Sequence, residues 1–300
     1  MSELPDLFTG FESQLVSTVG ADIFLRHGGN GAAVLLLHGY PQTHACWHRV
    51  AAELAQSHTV VAMDLRGYGR SSMPAGDADH LLYSKRAMAA DCIEVMKALG
   101  HDQFSVVSHD RGARVGYRLA LDHPNAVEKL VVLDIVPTSD AWLAMDHAGA
   151  MSKFHWTFLS QPAPMPEALI AADPDAWHEH LLKSWNASGG LSVFDETALE
   201  HYRRSYRRRE CIHAMSEDYR AGVTIDFQLD LADQKAGRKI SCPTLALWGQ
   251  QRSLGTVSNT LPVWEKWCER VEGKPIQSGH FLAEENPKDT LSAILPFLQG

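Results

Sequence analysis

Residues 106–114 of the chain read VVSHDRGAR, and this stretch decides the fold. The apolar run at residues 104–107 predicts a short buried strand, and residues 113–121 place apolar side chains at helical spacing. Between them, Ser108 and Gly112 flank Asp110 at alternate positions. A sharp turn brings backbone segments close together and therefore favours small flanking residues. The sequence predicts a strand–turn–helix unit with the carboxylate of Asp110 at its tip.

Strand-like and helix-like segments alternate along most of the chain. Strands are predicted at residues 14–19, 23–25, 33–37, 59–63, 127–134 and 243–249. Helices are predicted at residues 43–55, 85–99, 263–269 and 289–298. This alternation indicates an α/β fold, with a mostly parallel sheet that carries helices on both faces.

The alternation breaks after about residue 138, where helical segments rich in Trp, Met, Pro and Arg replace it until about residue 223. A chain of 300 residues can form one large domain or two modest ones. We predict an α/β core built from residues 1–137 and 226–300, with a helical cap inserted at residues 138–225.

The charge balance argues against two classes of partner. Lys and Arg number 27 and Asp and Glu number 36, so the net charge is −9. Nucleic acid and anionic membrane surfaces attract basic proteins, so we expect neither as a partner.

Targeting signals are not evident in the sequence. The N-terminus lacks the pattern of a signal peptide, and no stretch reaches the roughly 18 apolar residues of a membrane span. The five cysteines are scattered and form no C-x-x-C pair, which predicts reduced thiols and a cytoplasmic protein. They are Cys46, Cys92, Cys211, Cys242 and Cys268.

Polar residues that follow predicted strands form the candidate catalytic set, namely Tyr40, Asp110, Asp134 and His280. In parallel sheets the active site lies beyond the carboxyl ends of the strands. The chain order Asp110, Asp134, His280 resembles the nucleophile–acid–histidine order of α/β-hydrolases. Residues 250–253, which follow another strand, contain no carboxylate, and this favours Asp134 as the acid.

A carboxylate nucleophile limits the class of substrate that the protein can attack. Attack by Asp110 on an sp³ carbon gives an alkyl ester, so the substrate carries a leaving group such as a halide or an epoxide oxygen. His280 would activate water to hydrolyse the ester, with Asp134 holding the imidazole. The backbone N–H groups of Tyr40 and Arg111 are candidates for the oxyanion hole. Arg111 and Arg114 lie three residues apart, which suits a substrate carboxylate.

The motif Asp110-Arg111-Gly112-Ala113-Arg114 resembles the elbow of the fluoroacetate (haloacetate) dehalogenases, which are capped α/β-hydrolases. The resemblance extends from residues 38–42 to residues 278–282, with departures at Ser108 and Tyr40. It implies cleavage of 2-haloacids with water and a homodimer. We expect no cofactor, and no metal because the histidines and cysteines show no metal-ligand spacing. The resemblance also implies a substrate-binding role for Arg111 and Arg114. The halide pocket implied by the resemblance consists of His155, Trp156 and Tyr219, with Trp185 at the entry.

Three alternatives remain open. An epoxide hydrolase shares the Asp nucleophile and the cap, but that class usually relies on two cap tyrosines. A haloalkane dehalogenase is disfavoured because Arg111, and not Trp, follows the nucleophile. A non-catalytic ligand-binding protein of the same fold is disfavoured by the intact set of Asp110, Asp134 and His280.

Overall fold

The computed structural model describes residues 4–251 and 260–300. Residues 1–3, part of the segment inspected for a signal peptide, and residues 252–253, part of the stretch without an alternative acid, lie outside the described residues. Within the described part of the chain, no helix is long and apolar enough to cross a membrane.

One sheet organises the fold. Its strands are β1 (Glu12–Ser17), β2 (Asp22–Gly29), β3 (Ala32–Leu37), β4 (His58–Met63), β5 (Phe104–His109), β6 (Val127–Leu133), β7 (Thr244–Gly249) and β8 (Val271–Ile276). In the described ranges these eight strands lie in the order β1-β2-β4-β3-β5-β6-β7-β8. β2 pairs antiparallel with β1 and β4, and every other neighbouring pair is parallel. The predicted mostly parallel sheet is confirmed.

Helices connect the strands. Those of the two flanks are α1 (His48–Leu54), α2 (Lys85–Ala98), α3 (Asp110–Asp122), α12 (Thr260–Trp267), α13 (Leu282–Glu285) and α14 (Pro287–Gln299). Those between β6 and β7 are α4 (Thr138–Leu143), α5 (His147–Ser152), α6 (Phe154–Leu159), α7 (Met165–Ala172), α8 (Pro174–Trp185), α9 (Glu196–Tyr206), α10 (Arg209–Val223) and α11 (Ile225–Lys235). The helical interruption expected after β6 therefore also includes α11.

The central strand β5 is buried along its whole length. Its residue Val107 lies between Leu36 of β3 and Val131 of β6 in the sheet register. The side chains on both faces of such a strand are buried on folding, which explains why its sequence is a continuous apolar run. The register brings the end of β5 level with the ends of its neighbours, and Asp110 follows directly.

Small residues allow the turn after β5 to form. A Cβ atom on Gly112 would overlap the carbonyl oxygens of Leu37 and His38, and one on Gly116 would lie 2.6 Å from Ser108 Oγ. Ser108 donates a 2.8 Å hydrogen bond to the Val131 carbonyl, so its buried hydroxyl is satisfied. The serine is therefore accommodated in the turn because the facing helical residue is a glycine.

We predict that Gly112→Ala lowers the free energy of unfolding by about 3 kcal/mol, because the added methyl group meets backbone oxygens that cannot rotate away. Urea unfolding followed by circular dichroism measures the change. Gly190→Ala is the control, since its Cβ would find its nearest atoms at 3.9 Å. Equal stability of the two variants would contradict the steric account of the turn.

Candidate active site

Asp110 occupies the tip of the turn between β5 and α3. Its backbone φ is +47°, in the left-handed region that non-glycine residues seldom adopt. The carboxylate is buried, and Oδ1 accepts a 2.9 Å hydrogen bond from the backbone N–H of Tyr40. The other oxygen, Oδ2, lies 3.7 Å from His280 Nε2. The strained turn thus directs one oxygen to a backbone donor and the other to the imidazole.

His280 and Asp134 form a buried pair. His280 Nδ1 donates to Asp134 Oδ2 at 2.6 Å, and Asp134 Oδ1 accepts from the Gly249 N–H at 2.9 Å. His280 Nε2 has no hydrogen-bond partner within the described chain. Because Nδ1 carries the donated proton, the neutral imidazole offers its lone pair at Nε2, on the side of Asp110.

The charges of this set shift the two key pKa values in opposite directions. Burial alone would raise the pKa of Asp110, but the nearby His280, His109 and two arginines hold it below its usual range. Burial alone would lower the pKa of His280, but the hydrogen bond and charge of Asp134 raise it above the usual value. Asp110 is therefore an anion at neutral pH, next to an imidazole that readily accepts a proton.

Arg111 is fully engaged along one edge. Its Nε donates to Asp218 Oδ2 at 3.0 Å, and its Nη2 donates to Asp218 Oδ1 and to the Asp218 carbonyl, both at 2.7 Å. Its guanidinium carbon lies 4.2 Å from the ring centroid of Tyr219. A planar guanidinium binds a carboxylate best through two parallel N–H groups, and Asp218 already takes that pair.

Arg114 is buried with an open edge. Its Nη1 donates to Thr138 Oγ1 at 2.8 Å and to the Val136 carbonyl at 3.3 Å, and both acceptors are neutral. Its Nε has no partner within residues 4–251 and 260–300. The guanidinium carbon lies 4.8 Å from the ring centroid of Trp156. A buried cation with an unpaired N–H group is costly unless a ligand completes it.

The residues of the predicted halide pocket come together in one aromatic cluster. The His155 ring centroid lies 4.6 Å from that of Trp185, 5.7 Å from that of Tyr219 and 6.4 Å from that of Trp156. Tyr40 completes the cluster, with its ring 5.3 Å from Tyr219. Burial lowers the pKa of His155 to about 3, so its imidazole is neutral.

Two donors of this cluster lack an internal partner. His155 Nδ1 is buried and unpaired among the described residues, and the Tyr219 side chain makes ring and cation contacts with Tyr40, His155 and Arg111 but no hydrogen bond with a described residue. Burial raises the pKa of Tyr219 well above its usual value, so the hydroxyl keeps its proton. Both groups can therefore donate to a small anion.

A cavity of about 640 Å³ leads to Asp110. Arg114, Trp156, Lys153 and His280 also line it, whereas Arg111, His155 and Tyr219 lie outside its lining. Arg114 and the nucleophile therefore line the same cavity. Its apolar lining comes partly from Ile135, Val136, Ala141, Ala144 and Val263.

Sequence reasoning missed several residues that shape the site. Asp218 binds Arg111, and Trp177 donates a 2.8 Å hydrogen bond to the Tyr40 hydroxyl. His109, the residue before the nucleophile, hydrogen-bonds through Nε2 to the His280 carbonyl at 2.8 Å. In the sequence, Asp218 cannot be told from an ordinary surface carboxylate on a helix. Its place next to Tyr219 was the only signal of a role in the site.

Comparison with known proteins identifies the family. The model of the α/β hydrolase fold family matches residues 32–287. The fluoroacetate dehalogenase of Burkholderia sp is 45% identical over 97% of this chain and 95% of its own length. The chain belongs to the fluoroacetate dehalogenase family of α/β-hydrolases. The family predicted from the residues around Asp110 is confirmed.

Epoxide hydrolases are also similar to this member of the dehalogenase family. The soluble epoxide hydrolase of Corynebacterium sp. (strain C12) is 32% identical over 90% of this chain and 91% of its own length. A crystal structure of an α/β hydrolase from Nostoc sp PCC 7120 is 49% identical, covers 97% of this chain and 99% of that chain, and has a TM-score of 0.94. Both comparisons agree with the fold described above.

We predict that Asp134→Asn lowers the pKa of His280, because the amide neither accepts the Nδ1 proton as strongly nor supplies a negative charge. An NMR titration of the His280 ring measures the shift. Asp146→Asn is the control, since Asp146 lines the same cavity but is exposed and does not contact His280. A similar downward shift in both variants would show that general charge, and not the hydrogen bond, sets the pKa.

Proposed function

We propose that this protein hydrolyses haloacetates, fluoroacetate included, to glycolate and halide through a covalent ester on Asp110. The observation that carries the proposal is the buried cation Arg114, which lines the cavity that leads to Asp110 and whose Nε has no partner among the described residues. A neutral alkyl halide or epoxide forms no ion pair with that cation, whereas the carboxylate of a haloacid can do so. The relationship to fluoroacetate dehalogenase supports the same substrate class.

In the first step Asp110 displaces the halide. Oδ1 is held by the Tyr40 N–H, so Oδ2 is the oxygen that attacks the halogen-bearing carbon. A carbon–oxygen bond forms as the carbon–halogen bond breaks, and in-line attack inverts a substituted carbon. The halide leaves with both bonding electrons towards His155, Trp156 and Tyr219. Fluoride is small and strongly hydrated, so its departure requires several donors at once.

In the second step water hydrolyses the ester. His280 Nε2 takes a proton from water, and the resulting hydroxide equivalent attacks the carboxyl carbon of Asp110. Asp134 stabilises the imidazolium that forms. Negative charge develops on Oδ1, which the Tyr40 N–H already contacts, and the Arg111 N–H is proposed as the second donor. The imidazolium then protonates the departing glycolate oxygen, and the new carboxyl group of Asp110 releases its proton to solvent, which regenerates the carboxylate and balances the halide released.

Epoxide hydrolysis is the second candidate, because an epoxide hydrolase is among the relatives and Tyr219 could protonate an epoxide oxygen. Its ring contacts Tyr40, whose hydroxyl oxygen accepts a hydrogen bond from Trp177 and whose own proton stays available. A second phenol donor therefore lies beside Tyr219, and the buried cation Arg114 is what favours a haloacid over an epoxide.

We predict that the purified protein releases fluoride from fluoroacetate and chloride from chloroacetate, because Arg114 binds their carboxylate and Asp110 attacks the adjacent carbon. Ion-selective electrodes measure both halides, and styrene oxide is the comparison substrate. Opening of styrene oxide without halide release would favour an epoxide hydrolase. Haloacetate binding without turnover would favour the non-catalytic alternative.

The covalent ester on Asp110 is tested separately, with two variants incubated with a haloacetate. His280→Asn removes the base but leaves Asp110 in place, so the ester should accumulate as a carboxymethyl group on the peptide that contains Asp110. Intact-protein and peptide mass spectrometry detect it. Asp110→Asn is the control and should carry no such group. An unmodified Asp110 peptide in a His280→Asn protein that still turns over would contradict covalent catalysis.

We further propose that the helices at residues 138–225 act as a cap over Asp110 and that the protein is a cytoplasmic homodimer. Helix α10 supplies Tyr219 and α6 supplies His155 and Trp156, which supports a cap function. Apolar side chains exposed on α4–α7 support association, namely Leu143, Met151, Phe154, Met165 and Leu169. The five buried, unpaired cysteines suit a reducing compartment.

We predict a dimer mass by multi-angle light scattering. The double variant Leu143→Glu, Leu169→Glu should have the mass of one chain. The two introduced carboxylates would have to be buried in the interface in place of exposed apolar side chains. A wild-type protein with the mass of a single chain would contradict the homodimer.

A further inference from the structure

Two consecutive glutamates lie shortly after His280, and their surroundings differ. Glu284 and Glu285 end the short helix α13. Three backbone N–H groups donate to the Glu285 carboxylate at 2.8–2.9 Å, those of Ala187, Gly279 and Phe281. Glu284 is buried, and no backbone N–H of the described residues donates to its carboxyl. Only Glu285 therefore has the donors that stabilise a charged carboxylate.

The carboxyl group of Glu284 has two partners, and both are neutral. Oε1 accepts a 3.0 Å hydrogen bond from the Tyr202 hydroxyl, and Oε2 contacts the side-chain amide of Gln42. The nearby Arg49 donates to the backbone carbonyl of Glu284 and forms no ion pair with its carboxyl. A buried carboxylate without a cation is costly, whereas a neutral carboxylic acid with two hydrogen-bond partners is not.

Gln42 can accept the proton of a neutral Glu284. With the amide nitrogen towards Glu284, Gln42 Oε1 is buried and has no partner among the described residues. A half-turn of the amide exchanges its oxygen and nitrogen, which have nearly the same shape. Oε1 then accepts the proton of Glu284 Oε2. The amide nitrogen then faces a cavity of about 10 Å³ that Trp47 and His109 also line, and Trp47 Nε1 is likewise without a partner in the described chain. A water molecule fits this cavity and can accept from both nitrogens.

The charges around Glu284 also favour its neutral form. Burial raises the pKa of Glu284 to about 8, and the charge of Glu285 acts in the same direction. The titratable or charged groups that face Glu284 from other elements are Tyr202, Arg49, Cys46 and His109. The hydrogen bond of Tyr202 and the charge of the exposed Arg49 lower the pKa of Glu284 but do not offset its burial. Burial raises the pKa of the Cys46 thiol well above its usual value and lowers that of the His109 imidazole to about 3, so neither adds a charge.

Glu284 joins three segments of the chain. It lies four residues after His280, and its two partners come from elsewhere in the sequence. Gln42 follows Tyr40 by two residues in the loop after β3, and Tyr202 lies on α9 of the helical insertion. One buried carboxyl therefore holds together the segment of the proposed base, the loop of the Tyr40 N–H and the insertion.

We propose that Glu284 is a positioning residue which, as a neutral carboxylic acid, holds the loop of the Tyr40 N–H and the segment of His280 in place against each other. The proposal rests on the proposed function, since it concerns groups that act in that reaction. Ionisation of Glu284 would put an unpaired charge at this junction, and the segments would separate or admit water. Turnover should therefore fall as Glu284 loses its proton.

The protonation of Glu284 is tested without turnover, by infrared difference spectroscopy of the wild type against Glu284→Gln. At neutral pH the spectrum should contain the C=O stretch of one protonated carboxylic acid, and this band should disappear with a midpoint near pH 8. Glu128→Gln is the control, since Glu128 is exposed on β6, and its difference spectrum should lack the band. A wild-type protein without the Glu284 band at neutral pH would overturn the proposal.

The positioning role is tested by the pH dependence of kcat for chloroacetate. In the wild type and in Glu128→Gln, kcat should fall as the pH rises through about 8, because the neutral form of Glu284 is the competent one. Glu284→Ala should lower kcat roughly tenfold or more over the whole range, while KM changes by less than about twofold.

Glu284→Gln separates positioning by the neutral acid from simple filling of space. Its amide has the shape of the acid, accepts from Tyr202 and donates to Gln42, but it cannot ionise. It should restore kcat at neutral pH to within about threefold of the wild type and abolish the alkaline fall. An alkaline fall that persists in Glu284→Gln with the wild-type midpoint would overturn the positioning role.

Tyr202→Phe gives a second route if the variants of Glu284 do not fold. It removes a hydrogen bond that favours the ionised carboxylate, so the midpoint of the alkaline fall should move to higher pH by about half a unit or more. A lower kcat with an unchanged midpoint would show a merely structural contact and overturn the proposal. A wild-type protein that shows the infrared band of Glu284 but releases no halide would overturn the proposed function and the positioning role with it, and leave the neutral state of Glu284 intact.

Discussion

The close approach of three backbone segments around Asp110 is the constraint on which the site depends. The end of β5, the start of α3 and the loop after β3 meet where Gly112 lies against the carbonyl groups of Leu37 and His38. Only this proximity lets the Tyr40 N–H reach Asp110 Oδ1. A side chain at Gly112 would separate helix from strand, and the donor and the carboxylate would separate with them. The φ of +47° at Asp110 is stabilised by this surrounding packing.

Burial of charge gives the site its reactivity. Asp110, Asp134, His280 and two arginines are withdrawn from water, so each interaction among them acts at a low effective dielectric constant. Asp134 and His280 are paired in this way by a 2.6 Å hydrogen bond. Arg114 is the exception, because its buried Nε has no partner among the described residues. The proposed choice of a haloacid substrate depends on this unpaired cation.

Much of the core could be predicted from the sequence because its signals are local. Continuous apolar runs predicted the buried strands, and the small residues around Asp110 predicted the turn. Element ends were less predictable. The helix after the turn begins at Asp110 itself, and the helix expected at residues 43–55 begins with a 3₁₀ turn at His44–Trp47 before α1. Hydrogen bonds to distant segments decide such ends, and periodicity does not record them.

The sequence by itself determined the α/β fold class and the identity of the candidate nucleophile, because side-chain period and turn sterics are properties of neighbouring residues. It also carried the resemblance from which the halide-pocket residues were named. Only the tertiary structure decided which arginine is free, since the answer depends on Asp218, 107 residues further along the chain. A guanidinium has a fixed number of donors, and how many are left for a substrate is known only when every distant acceptor around it is in place.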